Sequence, residues 1–166
     1  MASSLNNLSD YNKNTLPDAE EMIFGIVVSE WNEQITNTLA NGAYQTLLDN
    51  GVKEDNIIIK KVPGSFELVL GAKLLLEKTR VNAVICLGCV IQGETRHFDF
   101  ICNAVSNGIM KLNIEYNRPV IFGVLTTINF EQSKERAGGK HGNKGVEAAI
   151  TAIKMVKLSF DFKDNY

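Results

Sequence analysis

Apolar and polar positions along this chain fall into two alternating rhythms. Short, nearly continuous apolar runs rich in branched residues occur at Glu21–Ser29 (EMIFGIVVS), Asn56–Val62 (NIIIKKV), Val81–Ile91 (VNAVICLGCVI) and Pro119–Thr127 (PVIFGVLTT). Such runs predict strands covered on both faces. Between them the spacing lengthens to that of a helix. Trp31, Ile35, Leu39, Ala43 and Leu47 predict a helix over 31–48, with Gly51 placed to stop it. Pro63 and Gly64 break the second run, and FELVLGAKLLLEK (66–78) continues as a helix. Phe98, Ile101, Val105, Ile109, Leu112 and Tyr116 make one apolar stripe. Asn129, with Gln132 after it, resembles a capping box that opens a short helix to about Arg136. AGGKHGNKG is too glycine-rich for a helix. A last helix is expected from about Asn143 to about Phe160, with Val146, Ile150, Ile153 and Met155 facing the core.

Strand then helix, repeated along the chain with one additional helix, predicts an α/β fold: a four-stranded parallel sheet between two helical layers, a three-layer αβα sandwich. Its crossovers should be right-handed. So small a sheet leaves apolar helix faces that call for a neighbouring subunit, hence an oligomer. The length of 166 residues suits one domain, 21–166, preceded by a polar arm over 1–20 that is flexible or laid on the surface. That arm has neither the basic start nor the apolar core of a secretory signal. No apolar run approaches the roughly 20 residues of a membrane span. A net charge of −2 gives no electrostatic case for nucleic acid or a membrane as partner. The expected compartment is the cytoplasm. Cys86 and Cys89 spell CxxC, but on an extended strand they point to opposite faces, and no second ligand pair follows, so neither a redox motif nor a metal site is expected.

Open parallel sheets bind ligands beyond the carboxyl ends of their strands, and there the chain concentrates its chemistry: SEWN after the first strand, PGSFE after the second, QGETRHFD after the third, TTINFEQ after the fourth. His97, in the loop after the third strand, is either a surface-loop histidine without a role or, because that loop follows a central strand, a group placed for proton transfer. His141 reads as a solvated loop residue. Glu67 is either a carboxylate at a helix start or an acceptor for polyol or ring N–H groups. Trp31, the only tryptophan, either packs on the core or stacks on a planar ring. Lys134, Arg136, Lys140 and Lys144 are a solvated face or, with the exposed backbone of their glycines, a phosphate site. Glu94 and Thr95 open a helix whose free N–H groups favour phosphate too. Without GxxxxGK[ST] or GxGxxG, a nucleoside triphosphate or dinucleotide is not expected. A small phosphorylated metabolite meeting a planar polar heterocycle fits better.

The ordered set WN, PGSFE, GCVIQGETRHFD, VIFGVLTT and ERAGGKHGNKG closely resembles the lumazine synthases of riboflavin biosynthesis from about Ile23 to about Met155. The resemblance implies a flavodoxin-like sandwich. It also implies condensation of two small-molecule substrates, 5-amino-6-(D-ribitylamino)uracil and 3,4-dihydroxy-2-butanone 4-phosphate, to 6,7-dimethyl-8-ribityllumazine, with no metal or organic cofactor. By motif, Trp31 corresponds to an aromatic that stacks on the pyrimidine. Ser65, Phe66 and Glu67 correspond to the segment that holds the ribityl chain and ring, and Cys89, Val90 and Ile91 to backbone contacts with the same substrate. Glu94 and Thr95 correspond to the phosphate-binding helix start and His97 to the proton carrier. Phe122 corresponds to a second stacking aromatic, Arg136 to the phosphate-binding cation and Lys144 to a lysine near the pyrimidine carbonyl, these three supplied by a neighbouring subunit. The chain departs from the family at Trp31, where phenylalanine is more usual, at Cys89, often threonine or alanine, and at Gln92, often arginine or lysine. Its uninterrupted GGKHGNKG connection is similar to that of members whose pentamers build icosahedral shells. A non-catalytic flavin- or lumazine-binding module and a mainly structural shell protein are the competing readings.

Overall fold

The computed structural model describes residue 7 and residues 9–165; residues 1–6 and 8 of the expected arm lie outside the described residues. Each apolar run forms a strand: β1 (Phe24–Ser29), β2 (Ile57–Val62), β3 (Ala83–Ile91) and β4 (Val120–Thr127). The helical spacings form α1 (Glu33–Asp49), α2 (Leu68–Lys78), α3 (His97–Tyr116), α4 (Phe130–Glu135) and α5 (Lys144–Asn165). The sheet is wholly parallel in the order β2-β1-β3-β4, with Phe24 opposite Ile57 on one side and Ala83 on the other, and Val84 opposite Val120.

Strand alternation sorts the core into two layers. Phe24, Ile26 and Val28 of β1 and Ile85, Leu87 and Cys89 of β3 pack with Leu39, Ala43 and Leu47 of α1 and with Ala149, Ala152 and Ile153 of α5. Val27, Val84, Cys86, Val120 and Val124 face the other way, onto Leu68, Ala72 and Leu76 of α2 and Val105, Ile109 and Leu112 of α3. Cys86 and Cys89 therefore lie on opposite sides of the sheet, as the strand reading requires. Burial pushes the Cys86 thiol up to about 12, far from the thiolate that redox chemistry uses.

Helix ends follow the local signals. The Gly51 amide donates to the Leu48 carbonyl at 3.0 Å and the Val52 amide to the Leu47 carbonyl at 3.1 Å, a Schellman closure that needs the φ of +92° at Gly51. At α4 the Asn129 side chain accepts from the Gln132 amide at 2.9 Å. The returning bond of the expected box goes elsewhere: the Gln132 side chain accepts from the Ile128 amide at 3.1 Å, one residue earlier.

AGGKHGNKG is non-helical up to Asn143, as its glycines predict: it folds as a two-stranded antiparallel hairpin, β5 (Ala137–Gly139) and β6 (Gly142–Asn143), with positive φ at Gly138 and Gly142. Two sequence expectations are corrected. Met155 is 39 % exposed; α5 buries Ala148, Ala149, Ala152, Ile153 and Val156 instead, because it lies close against α1, where small side chains fit. The helix also continues past Phe160 to Asn165. Of the segment before β1, the Ser9 hydroxyl accepts from the Asn143 amide at 2.8 Å, while Ala19 and Met22 join the α1/α5 layer of the core.

α5 comes close to α1 at Gly145, where an added Cβ would be driven into the Leu39 carbonyl. Gly145→Ala is expected to destabilise the fold by about 1–3 kcal/mol through this overpacking, read as a lower urea midpoint at fixed protein concentration.

Candidate functional site

The carboxyl ends of β1, β2 and β3 open on a cleft of about 700 Å³. It sits at the switch point of the sheet, where the chain leaves β1 to one side for β2 and later returns to the other side for β3. Pairing continues past the strand ends and shapes the rim. The Glu30 amide donates to the Val62 carbonyl at 2.8 Å and the Trp31 amide to the Pro63 carbonyl at 3.1 Å. Trp31 precedes α1 and stays 72 % exposed, which excludes the core-packing reading of its indole. Asn32 turns the chain into α1 in the left-handed conformation, φ 62° and ψ 45°, which asparagine tolerates better than most residues. Its side-chain amide donates to the Cys89 carbonyl at 2.9 Å, tying the loop that carries Trp31 to the end of β3.

Two further helices begin at this cleft. Glu67 precedes α2 and Arg96 precedes α3, and neither side chain caps its helix. The Leu68 amide at the start of α2 donates to the Ser65 carbonyl at 3.3 Å, and at the start of α3 the His97 amide donates to the Thr95 hydroxyl at 3.4 Å and the Asp99 amide to the Arg96 carbonyl at 3.1 Å; what both helices bring to the cleft is the positive end of the dipole. Ser65 is 6 % exposed, and its hydroxyl is buried without a hydrogen-bond partner in the chain. That hydroxyl fits because residue 88 is glycine; a Cβ there would stand 2.7 Å from it. The exposed His97, the first residue of α3, lines the same cleft.

Nine of the sequence-predicted residues meet here: Trp31, Ser65, Phe66, Glu67, Cys89, Val90, Ile91, Thr95 and His97. Glu94 is exposed in the loop between Gly93 and Thr95, both of which line the cleft. Phe122, Arg136 and Lys144 are not among the lining residues. Phe122 is 36 % exposed on β4 and opposite Cys86 in register. Arg136 follows α4, and Lys144 opens α5 and pairs with Glu147 at 2.6 Å. Of the basic cluster, Lys134 pairs with Glu131 at 3.5 Å and Lys140 with Glu135 at 3.0 Å. The Arg136 guanidinium instead donates to the Gln132 carbonyl at 3.1 Å. The Lys140 ammonium holds the Glu135 carboxyl below the usual carboxylate range. His141 is not a solvated loop residue: its side chain is 17 % exposed and its Nε2 lies 3.7 Å from the Glu135 carboxylate, because the hairpin folds it back on α4. Among the described residues no cluster of three histidine, cysteine or carboxylate side chains is arranged to hold a metal.

Sequence reasoning noted Asn32 only as part of SEWN at the end of the first strand, and passed over Ser133. For Asn32 the signal was an asparagine at the junction of strand and helix, where a left-handed residue is useful. For Ser133, a buried serine on a short polar helix, no one-dimensional signal exists.

The family model for 6,7-dimethyl-8-ribityllumazine synthase matches residues 21–159. A 6,7-dimethyl-8-ribityllumazine synthase of Cytophaga hutchinsonii is 62 % identical over 156 residues, 94 % of this chain and 98 % of the relative. The enzyme of the same name from Parabacteroides distasonis is 57 % identical over 159 residues, 96 % and 99 % of the two chains. That from Christiangramia forsetii is 55 % identical over 164 residues, 98 % of each.

Because Asn32 combines a left-handed backbone with a long-range hydrogen bond, two substitutions separate the contributions. Asn32→Gly should lose only the amide bond, about 0.5–1.5 kcal/mol. Asn32→Ala should lose roughly a further 1 kcal/mol to the left-handed conformation. Urea denaturation of both variants checks the order.

Proposed function

The chain belongs to the 6,7-dimethyl-8-ribityllumazine synthase family, and from that premise we propose that the cleft beside Trp31 is one half of its active site, the other half being carried by a second copy of the chain. The protein is a transferase of riboflavin biosynthesis. It condenses 5-amino-6-(D-ribitylamino)uracil with 3,4-dihydroxy-2-butanone 4-phosphate to 6,7-dimethyl-8-ribityllumazine, releasing phosphate and water. The observation that carries the two-copy reading is the division of the site residues. The segments with pyrimidine-binding and proton-transfer chemistry line one cleft, while Phe122, Arg136 and Lys144 do not line it.

In this reading the pyrimidine ring lies against the face of Trp31. Its polar edge meets the backbone of Cys89–Ile91, and its ribityl chain meets the Ser65 hydroxyl and the Glu67 carboxylate. An occupant hydroxyl at Ser65 would satisfy the group that the chain leaves unpartnered. The phosphate of the second substrate meets Thr95 and the N–H groups at the start of α3, with Arg136 arriving from the adjoining copy as a planar, permanently charged donor. The 5-amino group attacks the ketone carbon and water leaves as the imine forms. His97, at the first turn of α3, carries the protons that let phosphate depart by elimination. Ring closure onto the remaining carbonyl expels water again. The balance is redox-neutral. Much of the acceleration comes from holding both substrates together, worth roughly 7–11 kcal/mol where orientation is good.

Assembly follows from the same surfaces. Phe66, Leu70 and Leu74 on and before α2, with Phe100, Met110 and Ile114 on α3, are all 47–70 % exposed in the single chain, an apolar area that a monomer would leave in water. We extend the proposal to a homopentamer, and to an icosahedral shell of pentamers through the uninterrupted GGKHGNKG connection. No described helix is long and apolar enough to cross a membrane, and we place the activity in the cytoplasm.

His97→Ala should slow turnover by about 10²–10⁴-fold without abolishing it. Arg136→Ala should raise the KM for the phosphorylated substrate and cost more. Because the two residues serve one site from different copies, unfolding, mixing and refolding equal amounts of the two variants should regenerate fully equipped sites, about a quarter of the total by random pairing. Lumazine absorbance gives the rate. A mixture no faster than the mean of its components would refute the shared site, and sedimentation velocity reads the assembly directly.

A further inference from the structure

A short chain of buried polar side chains runs behind the cleft, on the face of β3 turned away from α2 and α3. The Cys89 thiol donates to the Ser133 hydroxyl at 3.3 Å, and the Ser133 and Thr127 hydroxyls share a hydrogen bond of 2.7 Å. Cys89 is 1 % exposed, Ser133 fully buried and Thr127 4 % exposed. The three residues belong to three elements: Cys89 to β3, Thr127 to the last position of β4 and Ser133 to the middle of α4. Outside this chain α4 is a short helix held by its Asn129 cap, by the Gln132 side chain accepting from the Ile128 amide, and by the hairpin after it, whose His141 amide donates to the Glu135 carbonyl at 2.9 Å; the Ser133 hydroxyl also lies 3.5 Å from the Asn129 carbonyl. The buried hydroxyl of Ser133 is therefore a fixed point of α4 against the sheet.

What α4 positions is Arg136. The Arg136 amide donates to the carbonyl of Ser133 itself at 3.1 Å, and its guanidinium to the carbonyl of Gln132 at 3.1 Å. Both ends of the arginine are thus referred to the turn of helix that carries the buried serine. On the other side of Cys89, its carbonyl accepts the Asn32 amide at 2.9 Å, so the residue gripping Ser133 also holds the loop of Trp31. A small tilt of α4 would move a long side chain whose task is geometric, and such displacements near reacting groups are costly.

We propose that the Cys89–Ser133–Thr127 hydrogen-bonded chain is a positioning device for Arg136: through Ser133 it sets where this copy presents its guanidinium to the phosphate in the adjoining copy's cleft. The proposal rests on the reading of Arg136 as the phosphate anchor. Ser133 and Thr127 touch no substrate. Their part is to keep the hydroxyls mutually satisfied inside an apolar surround, where an unpaired hydroxyl costs about 1–3 kcal/mol and the helix would shift to relieve it.

Ser133→Ala and Thr127→Val remove one hydroxyl each, the second with shape preserved; Thr127→Ser keeps the hydroxyl and is the conservative control. Steady-state kinetics on the assembled enzyme, with each substrate varied in turn, are combined with competitive inhibition by inorganic phosphate. Ser133→Ala and Thr127→Val should raise the KM for the phosphorylated substrate and the inhibition constant of phosphate by roughly five- to tenfold. The KM for the pyrimidine should stay within about twofold, and Thr127→Ser should match the parent enzyme. Equal weakening of both substrates would mark the chain as merely structural and overturn the proposal. So would unchanged phosphate constants in Ser133→Ala and Thr127→Val while Arg136→Ala raises them. If Arg136→Ala leaves the phosphate constants unchanged as well, the anchor reading fails, and the inference falls with it.

Discussion

Every strand of a wholly parallel sheet is entered from the same end, and this constraint organises the molecule. Because β2, β1, β3 and β4 all run the same way, each strand releases the chain at the same rim and each following helix begins there. The rim gathers loop residues from distant parts of the sequence. It also gathers helix N-termini, the ends that carry free donors and partial positive charge. Trp31, Glu67 and His97 are far apart in sequence, and the hydrogen bonding of β1 between β2 and β3 is what brings their loops to one cleft.

The core supports this rim through close backbone approaches as well as through apolar volume. Gly88 makes room for the Ser65 hydroxyl, and Gly145 lets α5 lie on the Leu39 carbonyl. The cleft helices and α4 begin differently. Asn129 caps α4 with its own side chain, whereas Glu67 and Arg96 do not cap α2 and α3, and at α3 it is the Thr95 hydroxyl, a residue of the cleft lining, that accepts from the His97 amide. Lys134, Lys140 and Lys144 are likewise matched by carboxylates, while the Arg136 guanidinium donates to a backbone carbonyl.

The sheet, the helices and their order were legible in the sequence because strand and helix periods differ and each run here is long enough to show its own. Boundaries moved by a few residues where side chains replace ladder bonds. Asn82, for example, pairs with both the amide and the carbonyl of Ile23 just before β1. The site residues of the cleft were legible because strand ends can be read in order. Less visible was anything decided by neighbours far along the chain. The buried alanines of α5 and the exposed Met155 depend on how closely α1 approaches. The orientation of His141 depends on a hairpin built from glycines, whose conformations no periodicity encodes. The Cys89–Ser133–Thr127 chain joins three elements through small side chains that look unremarkable in one dimension.

The placement of Cys86 and Cys89 on opposite faces of β3 has a chemical corollary. A CxxC pair ordinarily invites ring closure into a disulfide, but here the hydrogen-bonded sheet stands between the two sulfurs as a partition, and each is sealed under its own helical layer. Reaching a bonding distance would require dismantling the central strand. The fold thus insulates these two thiols from each other, so oxidising surroundings cannot cross-link the pair while the sheet persists.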